Sequence, residues 1–221
     1  MGTKLIDLSH TVEDGMITYK GLPAPIVCDF LSFEDSQRIY AEGTEFVISR
    51  VELVGNTGTY LDSPFHRHRH GLDLSELPLE SVAHLEAVTV SAVERDGRAI
   101  GPERFAERDL KGKAVLVHTG WDAHWRTDHY FEGHPFLTRA AANLLVESGA
   151  ALVGIDSYNI DDTEDMARPV HTVLLGRDIP IVEHMCQLES LPVSGFLFSA
   201  VPVKIQGCGT FPVRAFAAIT D

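Results

Sequence analysis

Cysteine is scarce in these 221 residues: only Cys28, Cys186 and Cys208, with no Cys-x-x-Cys pair among them. An odd, scattered set gives neither a disulfide framework nor a thiolate metal site, and reads as the reduced thiols of a cytoplasmic protein. Cys208, between Gly207 and Gly209, has no motif around it that would supply a base, so it reads as a structural thiol. Basic charge is also short. There are 18 Lys and Arg against 32 Asp and Glu, a formal net charge of -14. That excess repels a phosphate backbone and argues against a nucleic-acid partner; the one basic stretch, His66 to His70 with Arg67 and Arg69, is too short to reverse it. No apolar run approaches a membrane span, and Met1-Gly2-Thr3-Lys4-Leu5-Ile6-Asp7-Leu8 lacks the apolar stretch of a signal peptide, so neither a membrane nor export is expected. Repeats, low-complexity tracts and linker-like segments are missing, and residues 1–221 are expected to form one domain.

What is present is a globular composition, 44% hydrophobic and 23% charged, enough for a core of normal size. The first part reads as β-rich. Lys4 to Leu8 is a short strand, Gly15 to Pro25 a loop, and Glu45 to Val54 a branched and aromatic strand ended by Gly55. Asn56 to Gly71 has no sustained periodicity and reads as a loop at a strand end. The middle is α/β: strands at Ala87 to Val93 and Ala114 to His118, then a helix over Thr138 to Ser148 capped by Thr138 and stopped by Gly149. Leu152 to Ile155 and Ile179 to Val182 are short buried strands, and Phe196 to Ile205 and Val213 to Ile219 are late ones. The order predicts an α/β fold, a single mixed, β-rich sheet with few helices.

Four residues stand out chemically. Asp62 and His66 share a segment stiffened by Pro64, Glu183 follows an apolar run, and His171 follows Arg168-Pro169-Val170. Carboxylates with imidazoles bind a divalent metal or share acid/base work. Nothing in their spacing brings them together; taken alone, unrelated surface or capping positions are the blander reading. The alternating His and Arg around His68 and His70 read as a solvated loop, the histidines at 118, 124, 129 and 134 as a structural or pocket-lining stretch, and the acidic run Asp161 to Asp165 as a solvated face bordering a pocket at most.

A longer pattern changes the weighting. Asn56-Thr57-Gly58-Thr59-Tyr60-Leu61-Asp62-Ser63-Pro64-Phe65-His66 resembles the signature His-x-Gly-Thr-His-x-Asp-x-Pro-x-His of the cyclase family, which includes bacterial arylformamidases (kynurenine formamidases) and isatin hydrolases. Asp7-Leu8-Ser9, His118-Thr119-Gly120-Trp121, Val153-Gly154-Ile155-Asp156-Ser157, His171 to Glu183 and Pro212-Val213-Arg214-Ala215 resemble it too, in order and along nearly the whole chain.

The resemblance implies a swivelling β/β/α fold and a hydrolase. It gives Asp62, His171 and Glu183 as metal ligands, His66 as the acid/base group, and Tyr19 as an aromatic wall of the substrate pocket. The chain departs from the signature at two ligand positions, where Asn56 and Tyr60 replace histidine. An amide oxygen is a weak zinc ligand and a neutral phenol a weaker one, so a two-metal centre is not expected. Two arrangements stay open: one divalent ion, Zn²⁺ or Mn²⁺, on Asp62, His171 and Glu183, or a metal-free site in which Tyr60 and His66 supply the donors. Asn56 and Tyr60 are read as substrate contacts. The implied reaction is hydrolysis of an amide, lactam or lactone in a small cyclic or aromatic carbonyl compound. The rivals are a cyclase or dehydratase, in which His66 moves protons without adding water, and a binding protein that has lost catalysis, which the retention of all four polar residues argues against. The resemblance also implies a homodimer or homotetramer, weakly supported by apolar and aromatic residues between Trp121 and Phe136 that could seek an interface.

Overall fold

In the computed structural model, which describes residues 2–220, a nine-stranded mixed sheet carries the fold. Its centre is four parallel strands, β5 (Leu85–Ser91), β7 (Ala114–His118), β9 (Leu152–Ile155) and β10 (Ile181–Glu183). Beyond β5 run the antiparallel strands β11 (Ser194–Ser199), β13 (Phe216–Thr220) and β1 (Thr3–Asp7); beyond β10 run β4 (Tyr60–Asp62) and then β12 (Thr210–Pro212). Two pairs stand apart from this sheet: β2 (Ile26–Leu31) with β3 (Ile48–Glu52), and β6 (Ala99–Ile100) with β8 (Phe136–Leu137).

The central strands are apolar on both faces because both are covered. Along β7, Val115 and Val117 join one core while Ala114 and Leu116 join the other. The first core lies under α2 (Arg139–Glu147) and α3 (Pro169–Leu175), through Leu145, Val170 and Leu174 among others. The second is closed by residues such as Leu8, Leu74 and Val82. Emptying either costs stability, with Leu116→Ala expected to lose ~2–5 kcal/mol. The short α1 (Phe33–Ser36) sits between the strands of the β2–β3 pair.

The expected α/β class holds, and Leu152–Ile155, Ala114–His118 and the Thr138-capped helix fall where the pattern put them. The Thr138 side chain accepts from Ala141 N–H at 3.1 Å, and Gly149 follows with a left-handed φ of 73°. Three local expectations fail. Asn56 to Gly71 is not all loop: β4 lies inside it, buried between two strands, and three residues are too few to show a period. The Glu45 to Val54 strand shortens to β3 and pairs only with β2, outside the main sheet. The strand over Phe196 to Ile205 ends at Ser199. His171, to which the sequence pattern assigns no element, lies in a helix that starts at Pro169, where proline at the first position has no N–H to lose.

Candidate active site

The three residues of β4 set the site. Tyr60 and Asp62, two apart, project from the same face of the strand. On one side β10 pairs antiparallel, placing Glu183 opposite Tyr60; on the other β12 places Thr210 opposite Asp62. Opposed residues on one face are neighbours, and both pairs bond. The Tyr60 hydroxyl donates to Glu183 Oε2 at 2.5 Å, and the Thr210 hydroxyl donates to Asp62 Oδ1 at 2.6 Å. Burial and the carboxylates of Glu183 and Asp62 push the Tyr60 phenol well above its usual range, so it remains a donor.

His171 enters from the first turn of α3. Asp161 aims it: one carboxylate accepts from Val170 N–H at 2.7 Å, from His171 N–H at 3.0 Å and from His171 Nδ1 at 2.7 Å. Asp161 thus caps a helix whose N-cap residue, Arg168, makes no capping bond, and it turns His171 Nε2 inward. There Nε2 lies 3.6 Å from Asp62 Oδ2 and 3.8 Å from Glu183 Oε1. Burial opposes a charge on His171, but Glu183, Asp161 and Asp62 outweigh it and push this imidazole up to about 10. Burial raises Glu183 to about 7 against the pull of His171, whereas for Asp62 the nearby His66 and His171 overcome burial and hold the carboxyl below its usual range.

His66 sits one turn beyond Asp62, in a 3-10 turn over Pro64–His66. Its Nδ1 lies 2.7 Å from Thr210 Oγ1 and 3.7 Å from Asp62 Oδ1. Side-chain exposure separates it from the rest: 34% for His66, against 7% for His171, 1% for Glu183 and none for Asp62. A cavity of about 210 Å³ opens over the group, lined by Tyr19, Asn56, Tyr60, His66, His171 and Glu183, with Arg67, Arg168, Asn159 and Leu22. Tyr19 packs on Tyr158 at 4.8 Å between ring centroids, making an aromatic wall.

The donors suit one divalent ion. Asp62 Oδ2 is buried without a hydrogen-bond partner, an arrangement that asks for a cation. It faces His171 Nε2, whose other nitrogen is held by a carboxylate as in metal-bound histidines. Donor atoms of Asp62, His66 and His171 all lie within 4.8 Å of one another. Glu183, expected as a ligand, has its oxygens engaged by Tyr60 and by Ile160 N–H at 2.5 Å, though each oxygen keeps a further lone pair. A second ion does not suit them: Asn56 and Tyr60 supply no imidazole, and the Tyr60 hydroxyl is committed to Glu183.

The model of a family described as a putative cyclase matches residues 6–162, the stretch that holds the Asp62 segment and Asp156. The chain belongs to this cyclase family. Similar proteins include the kynurenine formamidase of Salinibacter ruber (strain DSM 13855 / M31), 28% identical over 96% of this chain and 95% of its own length, and that of Bacillus anthracis, 25% identical over 96% of both. Among solved structures, isatin hydrolase A from Labrenzia aggregata bound to benzyl benzoate superposes with a TM-score of 0.83 at 20% identity, covering 99% of this chain and 94% of its own. A predicted metal-dependent hydrolase from Bacillus stearothermophilus does so with 0.71 at 24%, covering both chains fully. The cyclase-family fold anticipated from the motifs is therefore the fold observed.

Within it, the separated motifs join. Asp156 accepts from Thr119 N–H at 2.7 Å and Gly120 N–H at 2.9 Å, tying the β9 end to the β7 end, so these two motifs are one structural unit. Asp161, within the acidic run that reads as a solvated face bordering a pocket at most, is buried against His171; its spacing from the Arg168-Pro169 helix start is the available signal. Thr210 carried no signal, since its role depends on strand register. Trp121 and Tyr130 turn inward to an aromatic cluster with Tyr158 rather than outward to an interface.

Proposed function

We propose that this cyclase-family chain hydrolyses an amide, lactam or lactone bond in a small aromatic or cyclic carbonyl compound, with His66 as the acid/base group. The exposure gradient carries the reading. Asp62, His171 and Glu183 are buried anchors, and His66 alone of the four reaches the cavity from a half-exposed position. A base must contact water or substrate, whereas charge-holding groups work best away from solvent. The names of the relatives, kynurenine formamidase and isatin hydrolase, favour an aromatic amide, and Tyr19, backed by Tyr158, gives such a ring a wall.

In this reading His66 removes a proton from water at its solvent-facing nitrogen and returns it to the leaving group. Asn56 and Asn159 line the cavity where polar substrate atoms would lie, and Arg67 and Arg168 stand at its wall to receive an anionic substituent. Asp62, His171 and Glu183 would hold the divalent ion, Zn²⁺ or Mn²⁺. Such an ion polarises a carbonyl and lowers the pKa of water. His171 must be neutral to serve as its ligand, so ion uptake would release a proton.

The test is turnover of aryl formamides and of isatin in ¹⁸O-water, with Zn²⁺ or Mn²⁺ supplied. Solvent oxygen should enter the product, and His66→Ala should lower kcat by ~10²–10⁴-fold. Product without solvent oxygen would favour the cyclase or dehydratase chemistry; unchanged turnover in the variant would remove His66 from its role.

The chain is further proposed to act in the cytoplasm as a homodimer or homotetramer. Cys28, Cys186 and Cys208 are all free, in keeping with a reducing compartment, and no helix among the described residues is long and apolar enough to cross a membrane. The surface for assembly is the β2–β3 pair and its connection, where Phe30 is 77% and Val51 56% exposed. Light scattering that returned a monomer mass at micromolar concentration would remove this proposal.

A further inference from the structure

Asp62 and His66 do not touch: Asp62 Oδ1 and His66 Nδ1 are 3.7 Å apart. One hydroxyl lies between them, Thr210 Oγ1, at 2.6 Å from the carboxylate and 2.7 Å from the imidazole. All three are fixed by backbone. Register sets Thr210 opposite Asp62, and Ser63 N–H donates to Gly209 O at 2.8 Å. Gly209 packs so closely that a Cβ there would meet His66 N and Cα at 2.6 and 2.7 Å; only glycine lets the Thr210 strand approach the His66 turn this far.

The protons in this chain can be counted. A hydroxyl has one hydrogen to give, and an ionised carboxylate can only accept. The Thr210 hydroxyl lies 2.6 Å from Asp62 Oδ1 and donates to it. The Thr210 hydrogen therefore points to Asp62, and the Thr210 oxygen is left to accept. Among the described residues its only other close partner is His66 Nδ1, which must then carry the hydrogen. The second ring nitrogen, Nε2, keeps its lone pair.

We propose that Thr210 is a positioning residue that relays Asp62 to His66, locking the imidazole in its Nδ1–H tautomer so that Nε2 can take a proton. The relay does what a direct carboxylate contact does for a catalytic histidine, with a hydroxyl inserted. When Nε2 is protonated, the positive ring stays bonded through Thr210 to the Asp62 charge. The role as base rests on the function proposed above; the tautomer does not.

Long-range ¹H–¹⁵N NMR of the His66 ring, assigned against His66→Ala, tests the tautomer in chelator-treated protein at about pH 8, above the ordinary histidine pKa. The expected result is a protonated Nδ1 and a bare Nε2 in the wild type and in Thr210→Ser, with Thr210→Val losing that preference. In turnover, Thr210→Val should lower kcat at least ~10-fold with KM little changed, and Thr210→Ser should restore it. A wild-type ring protonated at Nε2 overturns the proposal, whether or not Thr210→Val folds. So does a Thr210→Val protein with wild-type tautomer and kcat. If the tautomer behaves as expected while His66→Ala still turns over substrate, the relay stands and the catalytic reading of His66 falls.

Discussion

The Tyr60 hydroxyl and Glu183 Oε2 meet at 2.5 Å across the β4–β10 pair, at the position where the family signature has an imidazole. The exchange turns a would-be metal ligand into a hydrogen-bond donor that occupies half of a buried carboxylate. Glu183 otherwise relies on Ile160 N–H and on the nearby His171. Tyr60→Phe keeps the ring and leaves Glu183 Oε2 buried without that partner. It should cost ~1–3 kcal/mol of folding free energy, read from urea unfolding. A variant as stable as the wild type would mean that the hydroxyl contributes nothing net.

Asp161 should matter more for the ion than its distance from it suggests. It holds His171 by the ring and by the backbone, and its own N–H donates to Asn159 Oδ1 at 3.0 Å. Asp161→Asn can still accept a bond but lacks the charge that orients a neutral His171 and raises its basicity toward an ion. Carboxylate partners of metal-bound histidines are typically worth ~10–100-fold in affinity, and a loss of Zn²⁺ or Mn²⁺ affinity of that order is expected by calorimetry. Equal affinity in the two proteins would show that the Asp161 charge does not support the ion.

The sequence conveys the central strands and α2 well, because a buried strand and an amphipathic helix with a Thr cap each write their period into the chain. It conveys β4 and β12 poorly: three residues each, they are strands only because neighbours hold them. The same reason hid Thr210. Asp62, His66, His171 and Glu183 were reachable through a motif, but a hydroxyl that enters the site by being opposite Asp62 has no local pattern. Asp161 was masked by the exposed acids beside it, since composition cannot tell a capping carboxylate from a solvated one.

His10 makes the fold sensitive to acid. Its ring stacks on Trp125 at 3.8 Å with a 4° tilt, and burial lowers its pKa to about 4. The unfolded chain binds this proton near pH ~6.5 and the folded one only near 4. Stability is therefore full above ~6.5 and declines as the pH falls toward 4, where the unfolded state holds more protons. His10→Phe keeps an aromatic ring on Trp125 and removes the titration. The urea midpoint of the wild type should drop more than that of the variant between pH ~6.5 and ~4. Parallel declines would show that other groups govern the acid limb.

Arg67 and Arg168 make the cavity wall positive in a chain of net charge -14. Arg67 Nε donates to Thr172 Oγ1 at 3.0 Å and Arg168 Nη1 to the Asp162 carbonyl at 2.9 Å. Among the described residues neither guanidinium has a carboxylate partner, although acidic side chains are plentiful. Each keeps donors free, and Arg168 is held over the site by a left-handed φ of 46° at the start of α3. Such donors favour a substrate bearing a carboxylate over an uncharged one of the same shape. A charge-assisted bond is worth about 1.5–3 kcal/mol, and partial exposure brings the effect to the lower end. Arg168→Gln should therefore raise KM for an anionic aryl amide ~10-fold with kcat nearly unchanged, and leave KM for its methyl ester alone. Added salt should weaken binding of the anionic substrate to the wild type and matter less to the variant. An equal rise in KM for the acid and the ester would mean that Arg168 shapes the cavity rather than reading charge.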